Sequence, residues 1–389
     1  MPKLLLVVVG ICLGGAIMAQ KQTDTSTNYF KPIIPVDKAK LLKNVDMIAN
    51  MQFAQRNEFE DGKHTESRFA MNQFRLEIRG KVHEKVSFRF RDRYTRDVEP
   101  QSVDNLSRST DMAYIGIELS KKWSIAAGKM CADWGGYEFD LNPIDIYEYN
   151  DIVEYADNFL TGVQASYAVN DQHSFTVQWL NSRTKSFDEL YGQVPGVEEA
   201  KFPSAIVLNW RGSFGGKKFT TLWSYSAFQE ASGKYMHYIA LGNQLNLEKF
   251  QATYDFKWSD EDLDRKTIVS SIIPDDIFSY AASDVRYVEH WLKLDYLIHP
   301  RVNLSLVGMV SDAYWYGNPD PNADSKLRTS WGLIPTVEYM PFNDLNLKFF
   351  LNYVWRSYDY TGYAETNFAS VDKNTSRISI GFSSPLKIF

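Results

Sequence analysis

Two cysteines in 389 residues, one of them inside a leader-like N-terminus, leave a single thiol, Cys131, for the rest of the chain. One thiol makes no internal disulfide, so the fold rests on its secondary structure alone. Long apolar runs are lacking too. After residue 19 nothing approaches the ~20 apolar residues of a spanning helix, and the mean hydropathy is -0.34. Histidines number only six, and His64, His83, His173 and His299 fall in or beside loops without metal-ligand spacing. The run His83-Glu84-Lys85-Val86-Ser87 begins like a zinc-protease helix but lacks the second histidine. Phe214-Gly215-Gly216-Lys217-Lys218 lacks the first glycine of a phosphate loop. A barrel hydrolase would need His and Ser paired on neighbouring strands, and His290 with Ser279 or Ser283 is the nearest approach. No catalytic residue, metal or cofactor is therefore expected. The net charge of -6 gives no support to nucleic-acid binding.

What is present begins with a leader. Lys3, the apolar run Leu4 to Val9 and the small-residue end Ala16-Ile17-Met18-Ala19 have the form of a secretory signal peptide over residues 1–19. Residues 20–43 are polar and carry Pro32 and Pro35, so they read as a periplasmic lead-in. From residue 44 to 389 the rhythm is period two. Between Phe74 and Thr95 one face collects Phe74, Leu76, Ile78, Val82, Val86, Phe88 and Phe90, and the other Arg75, Glu77, Arg79, Lys81, Arg89, Arg91 and Arg93. A soluble sheet has no reason to string arginines along its outer face, whereas a transmembrane barrel places lipid on one side of each strand and water on the other. Aromatic residues reach 15%, as expected where rings mark two membrane interfaces. A two-sheet sandwich with these rings in its core is the competing fold.

Sixteen alternating segments can be placed, near 45–56, 69–82, 86–96, 111–120, 123–130, 159–169, 173–183, 204–213, 218–229, 234–244, 248–258, 286–298, 302–315, 327–340, 345–357 and 375–389. Short turns such as His83-Glu84-Lys85, Asn170-Asp171-Gln172 and His299-Pro300-Arg301 alternate with long connections. That asymmetry predicts an all-β antiparallel barrel of about 16 strands in the outer membrane, with short periplasmic turns, long outer loops and both termini in the periplasm. The four residues 230–233 must then serve as an outer loop, Phe350 and Val354 fall on the inner face, Asp92 and Glu289 fit imperfectly, and Pro335 lies within a strand.

Sixteen strands enclose a bore too wide for their own side chains to fill. Residues 131–158 are expected to fold into it. They carry Asp133, Glu138, Asp140, Asp145, Glu148 and Asp151 without one Lys or Arg, together with Trp134, Phe139, Tyr147, Tyr149 and Ile152, which want burial. The acids would then stand across from Arg75, Arg79, Arg89, Arg91 and Arg93, and opposed charged walls set pore selectivity. A ladder neutralised by Glu77 and the loop acids is the structural alternative.

The hairpin Arg75-Leu-Glu-Ile-Arg-Gly-Lys-Val-His-Glu-Lys-Val-Ser-Phe-Arg-Phe-Arg91, the strand Ala113-Tyr-Ile-Gly-Ile-Glu-Leu119 and Ala127-Gly-Lys-Met-Cys-Ala-Asp-Trp-Gly135 resemble the phosphate-selective porin O and P family in its Bacteroidetes form. The resemblance implies a sixteen-stranded channel, typically trimeric, conducting anions along an inward arginine ladder past a constriction formed by the third loop. The phosphate-selective members carry lysines at that constriction. Residues 130–158 have none, which argues against phosphate specificity. The expected function is passive diffusion of small hydrophilic solutes and ions with an anion preference, the partners being outer-membrane lipid and two further copies of the chain. A plugged barrel serving an outer-membrane assembly is the alternative.

Overall fold

Period-two alternation from Asn44 onward becomes strand after strand in the computed structural model, which describes residues 44–277 and 279–388. The strands are β1 (Val45–Glu60), β2 (Lys63–His83), β3 (Val86–Arg93), β4 (Thr110–Glu118), β5 (Trp123–Cys131), β6 (Phe159–Ala168), β7 (His173–Asn181), β8 (Ser204–Phe214), β9 (Phe219–Ala231), β10 (Lys234–Asn246), β11 (Phe250–Leu263), β12 (Ser283–His299), β13 (Val302–Trp315), β14 (Lys326–Tyr339), β15 (Lys348–Tyr360) and β16 (Lys373–Lys387). Each pairs with its neighbours in sequence, and β16 closes on β1. Closure leaves no long open edge in a solvent that cannot hydrogen-bond one. No helix among the described residues is long and apolar enough to cross a membrane. The leader, the lead-in and Phe389 lie outside the described residues.

Register follows the side-chain pattern. Across β2 and β3, Arg75 faces Arg93, Glu77 faces Arg91 and Arg79 faces Arg89, all toward the bore, while Ile78 faces Phe90 on the lipid side. Ile115, Val163, Leu306 and Leu351 are among the large apolar side chains left exposed on that outer skin. Trp123, Phe175, Phe219 and Tyr339 are exposed beside short turns and Trp179 beside a long loop. These rings mark the two interfaces.

Three features differ from the sequence expectation. Residues 57–68 form the top of a hairpin closed by Asp61 and Gly62, both at positive φ (47° and 75°), the two-residue geometry that matches strand twist. The connection 230–233 shrinks to a turn at Ser232 and Gly233, because β9 and β10 run past the bilayer and need nothing longer. Strand β15 starts at Lys348, three residues later than its alternation suggested. Pro335 is accommodated because the β14–β15 ladder skips Ile334 and Pro335 and resumes at Thr336 opposite Asn352.

Above Gln73, β2 pairs with β1 only, since β3 ends at Arg93 and the chain turns away into loop 94–109. That loop lies along the 182–203 loop. Val103 N–H donates to the Thr184 carbonyl at 3.1 Å, Ser102 Oγ donates to Glu189 at 2.5 Å, and Asp104 meets Lys129 of β5 at 3.1 Å.

Apolar side chains also fill part of the bore. Inward residues of β7 to β14 include Leu180, Val207, Phe228, Tyr238, Val285 and Tyr287, and they pack with Trp134 and Ile152 of the 132–158 loop and Ile268, Val269, Ile272 and Ile273 of the 264–282 loop. Phe350 and Val354 belong to a second such cluster with Trp291, Met309 and Ile334, against which Tyr147 is laid. The simple rule of apolar outside and polar inside holds only where no loop comes down to cover the wall.

Candidate functional site

The 132–158 loop folds inward from the end of β5. Gly135 and Gly136 turn it at positive φ (80° and 82°), and a Cβ on Gly135 would lie 2.4 Å from Ser224 Oγ. Only glycine lets the backbone come this close to the wall. Two short helices follow, α1 (Tyr137–Asp140) and α2 (Asp151–Glu154), with a 3-10 turn at Pro143–Asp145 between them.

Strand side chains hold this loop from the far wall. Asp255 of β11 accepts the Tyr137 and Glu138 amides at 2.9 and 2.8 Å, and Glu289 of β12 accepts the Ile152 amide at 2.5 Å. Each satisfies backbone donors that a short helix leaves unpaired. Glu138 accepts the Asn150 amide at 2.6 Å and is bonded to Lys257, which also lies 3.7 Å from Glu289. All three of these charged side chains are fully buried. Asp133 and Asp140 both bind Arg211 of β8, Asp140 through two parallel bonds of 3.0 and 2.8 Å. Asp145 meets Lys348 at 2.6 Å, Glu148 meets Arg377 at 3.0 Å, and Asp151 receives Arg328 and Arg356 at 2.5 Å each. The six loop acids named from sequence are thus matched by cations of β8, β11 and β14 to β16, and not by the arginines of β2 and β3. Burial lifts the Asp133 carboxyl above its ordinary range despite the nearby Arg211.

The β2–β3 arginines have partners of their own. Arg75, Arg91 and Arg93 converge on Asp111 of β4 at 3.6, 3.2 and 2.9 Å. Arg89 and Arg79 share Glu77 at 3.1 and 3.5 Å. Five guanidinium groups therefore stand against two carboxylates. Asp46, 3.8 Å from Arg79, is itself taken by Lys387 at 2.6 Å. Arg91 and Arg93 lie over the Phe159 ring at 5.4 and 5.7 Å, which fixes their planes. Arg79, Arg93, Arg377 and Glu148 all stay partly exposed, so the charged surface open to the bore lies between this wall and the near face of the loop.

Sequence reasoning named the arginines and the loop acids, saw Glu289 only as an imperfect fit in its strand, and missed Asp111, Arg211 and Arg328. Lys257, Lys348 and Arg356 were visible as inward residues of alternating strands, yet alternation carries no information on which loop residue each one meets. His290 does not approach a serine. It faces lipid and bonds the Tyr254 hydroxyl at 2.8 Å. His83 and His299 accept the Lys85 and Arg301 amides at 3.2 Å and so serve their turns.

The family model described as phosphate-selective porin O and P matches residues 45–383. No curated protein matches the chain. Among solved structures, the outer membrane channel DcaP of Acinetobacter baumannii superposes with a TM-score of 0.58 at 11% identity, covering 87% of this chain and 96% of that one. OmpF of Salmonella typhi gives 0.54 at 13% identity over 87% and 97% of the two chains. OmpT, an outer-membrane protein of Vibrio cholerae, gives 0.53 at 10% identity over 88% and 97%. At such identities the likeness is one of fold.

Proposed function

This chain belongs to the phosphate-selective porin O and P family and is an outer-membrane channel for passive diffusion, and from that premise we propose that its passage runs between the 132–158 loop and the β2–β4 wall and prefers small hydrophilic anions. One observation carries the reading. Five arginines of β2 and β3 face two carboxylates, while the loop acids that would oppose them are already matched by cations of the other wall. Uncompensated guanidinium charge in a narrow, partly desolvated passage raises the local concentration of anions. Residues 130–158 carry no lysine of the kind the phosphate-selective members have there, so the preference is for negative charge and not for phosphate.

Planar-bilayer recording in a KCl gradient tests this. The reversal potential is expected to have the sign of anion preference, and replacing Arg89, Arg91 and Arg93 together by Ser is expected to move it toward cations. An unchanged potential would end the claim that this ladder filters.

The apolar packing of the 132–158 and 264–282 loops within the bore favours a second reading, a plugged barrel that serves an outer-membrane assembly. Absence of any ion current from correctly inserted protein would support it. The proposal includes a homotrimer. One similar Vibrio cholerae structure is described in a trimer form, and here the upper part of β2 has no second neighbouring strand among the described residues. A native mass of one protomer in mild detergent would refute it. The channel is read as free of hydrolase chemistry, with His290 committed to the lipid face.

A further inference from the structure

Outward side chains of β12 run upward as Tyr296, Leu294, Leu292, His290, Val288 and Arg286, and those of β13 as Leu304, Leu306, Gly308, Val310, Asp312 and Tyr314. Both series end in charged or polar side chains, Asp312 of β13 lying opposite Val288, one row below Arg286. Arg286 is in register with Tyr314, and Tyr314 with Lys326 of β14, so two cations share one outward row with a single strand between them, roughly 10 Å apart at the backbone. Each is seated on rings. The Arg286 guanidinium lies 4.9 Å from the Tyr316 ring and 5.5 Å from that of Trp258, and Lys326 lies 5.9 Å from that of Tyr314. Asp260 accepts from Arg286 Nε at 2.9 Å, and Asp312 accepts from Lys326 at 2.7 Å and from Thr329 at 2.7 Å. Both cations are about one-third exposed (35% and 34%). Ion pairs this open contribute little and yield to a stronger anion.

We propose that Arg286 and Lys326, with Tyr314 and Tyr316, bind the phosphate of a phosphorylated glycolipid in the outer leaflet. The row stands one outward step above Trp258 and two above Trp331, at the height where headgroups begin. Below it, Val288, Leu292 and Val310 offer an apolar surface for acyl chains, and the rings offer faces for sugar. A free phosphate would use only the two cations, which are already partly neutralised. A lipid adds chain and sugar contacts on the same wall. Arginine supplies the bidentate geometry that phosphate favours, and lysine a point charge beside it.

The test uses the full barrel purified in detergent and stripped of lipid. Lipid A bearing phosphate, the same lipid A after removal of its phosphate, and inorganic phosphate alone are titrated in turn, with bound lipid counted by native mass spectrometry. The phosphorylated lipid is expected to bind at least tenfold tighter than the other two. The double variant R286S/K326S is expected to lose that tenfold, and R286K/K326R to keep most of it. Equal binding of both lipids, inorganic phosphate binding as tightly as the lipid, or an unaffected double variant would each overturn the proposal. Both cations lie outside the bore, so conductance and reversal potential should stay unchanged in R286S/K326S. That constancy also reports a folded barrel and separates this outcome from any failure of the anion-passage reading.

Discussion

Two halves of the bore are built from the same kind of strand and differ in what their inward side chains meet. On the β7–β14 side, loops bring Trp134, Ile152, Ile268 and Val269 against inward apolar residues, and buried charges such as Asp255, Glu289 and Lys257 meet a counter-charge or a backbone amide. On the β2–β4 side arginines crowd around too few acids, and two of them, Arg79 and Arg93, stay partly exposed. One half is packed like the core of a globular protein, and the other gathers positive charge. If the proposed passage is right, stability and selectivity reside on opposite walls, and a substitution of the same type should have different consequences on each.

The sharpest break of this division would come from Lys257. Lys257→Met leaves Glu138, Asp255 and Glu289 buried with no cation beside them. Breaking a buried pair by removing one partner costs about 3 to 5 kcal/mol. Denaturant unfolding in detergent should show that loss, and hydrogen exchange should rise at the Tyr137 and Ile152 amides. Arg91→Ser on the other wall removes one of three arginines around Asp111, so its stability should change far less. Comparable losses from the two variants would dissolve the distinction. Trp134→Ala follows closely in size. Its ring packs with Phe228 and Tyr238 at 5.0 and 4.9 Å, and truncating a buried aromatic costs about 3 to 5 kcal/mol.

Selectivity should respond in the reverse pattern. Asp111→Asn frees three arginines from their shared carboxylate and should shift the reversal potential further toward anions. Arg211→Ser acts on the far wall by subtraction. It leaves Asp133 and Asp140 without their cation, so the potential should move toward cations even though no ladder arginine is touched. Opposite signs for these two variants would establish that the far-wall cations silence the loop acids. A null result for Arg211→Ser would mean that the two acids do not face the permeating ions.

Most of the barrel was legible because a strand in a membrane writes its environment into every second residue. Arg75, Glu77 and Arg79 against Leu76 and Ile78 announce a wet face and a dry one, and turn length announces which rim is which. The hairpin around Asp61 escaped because once β1 and β2 rise beyond the bilayer, both faces meet water and alternation ends. The inward apolar residues escaped for a related reason. Val207, Phe228 and Tyr238 meet a loop from elsewhere in the chain, and the signal for their orientation is tertiary. The ladder arginines could be read locally. Their partner Asp111 sits at a register shift between β3 and β4, which no period reveals.

The gentlest probe of the comparison is pH. Glu154 ends α2 on the near side of the loop and stays exposed to the bore. Loss of open water around it, with Glu148 next in importance, raises its carboxyl above the ordinary range against the pull of Arg356. A raised acid takes up its proton earlier as pH falls. Glu154 should therefore neutralise before ordinary carboxylates do, removing negative charge from the face opposite the arginines while these keep theirs. Anion preference should then grow as pH is lowered from neutral, and reversal potentials measured across that range would show it. Glu154→Gln fixes the neutral form, so it should set the preference at the low-pH value and flatten the upper part of the profile. A variant that retains the full pH response would assign the titration to another acid. A response of opposite sign would mean that the near face of the loop, and not the arginine wall, governs which ions pass.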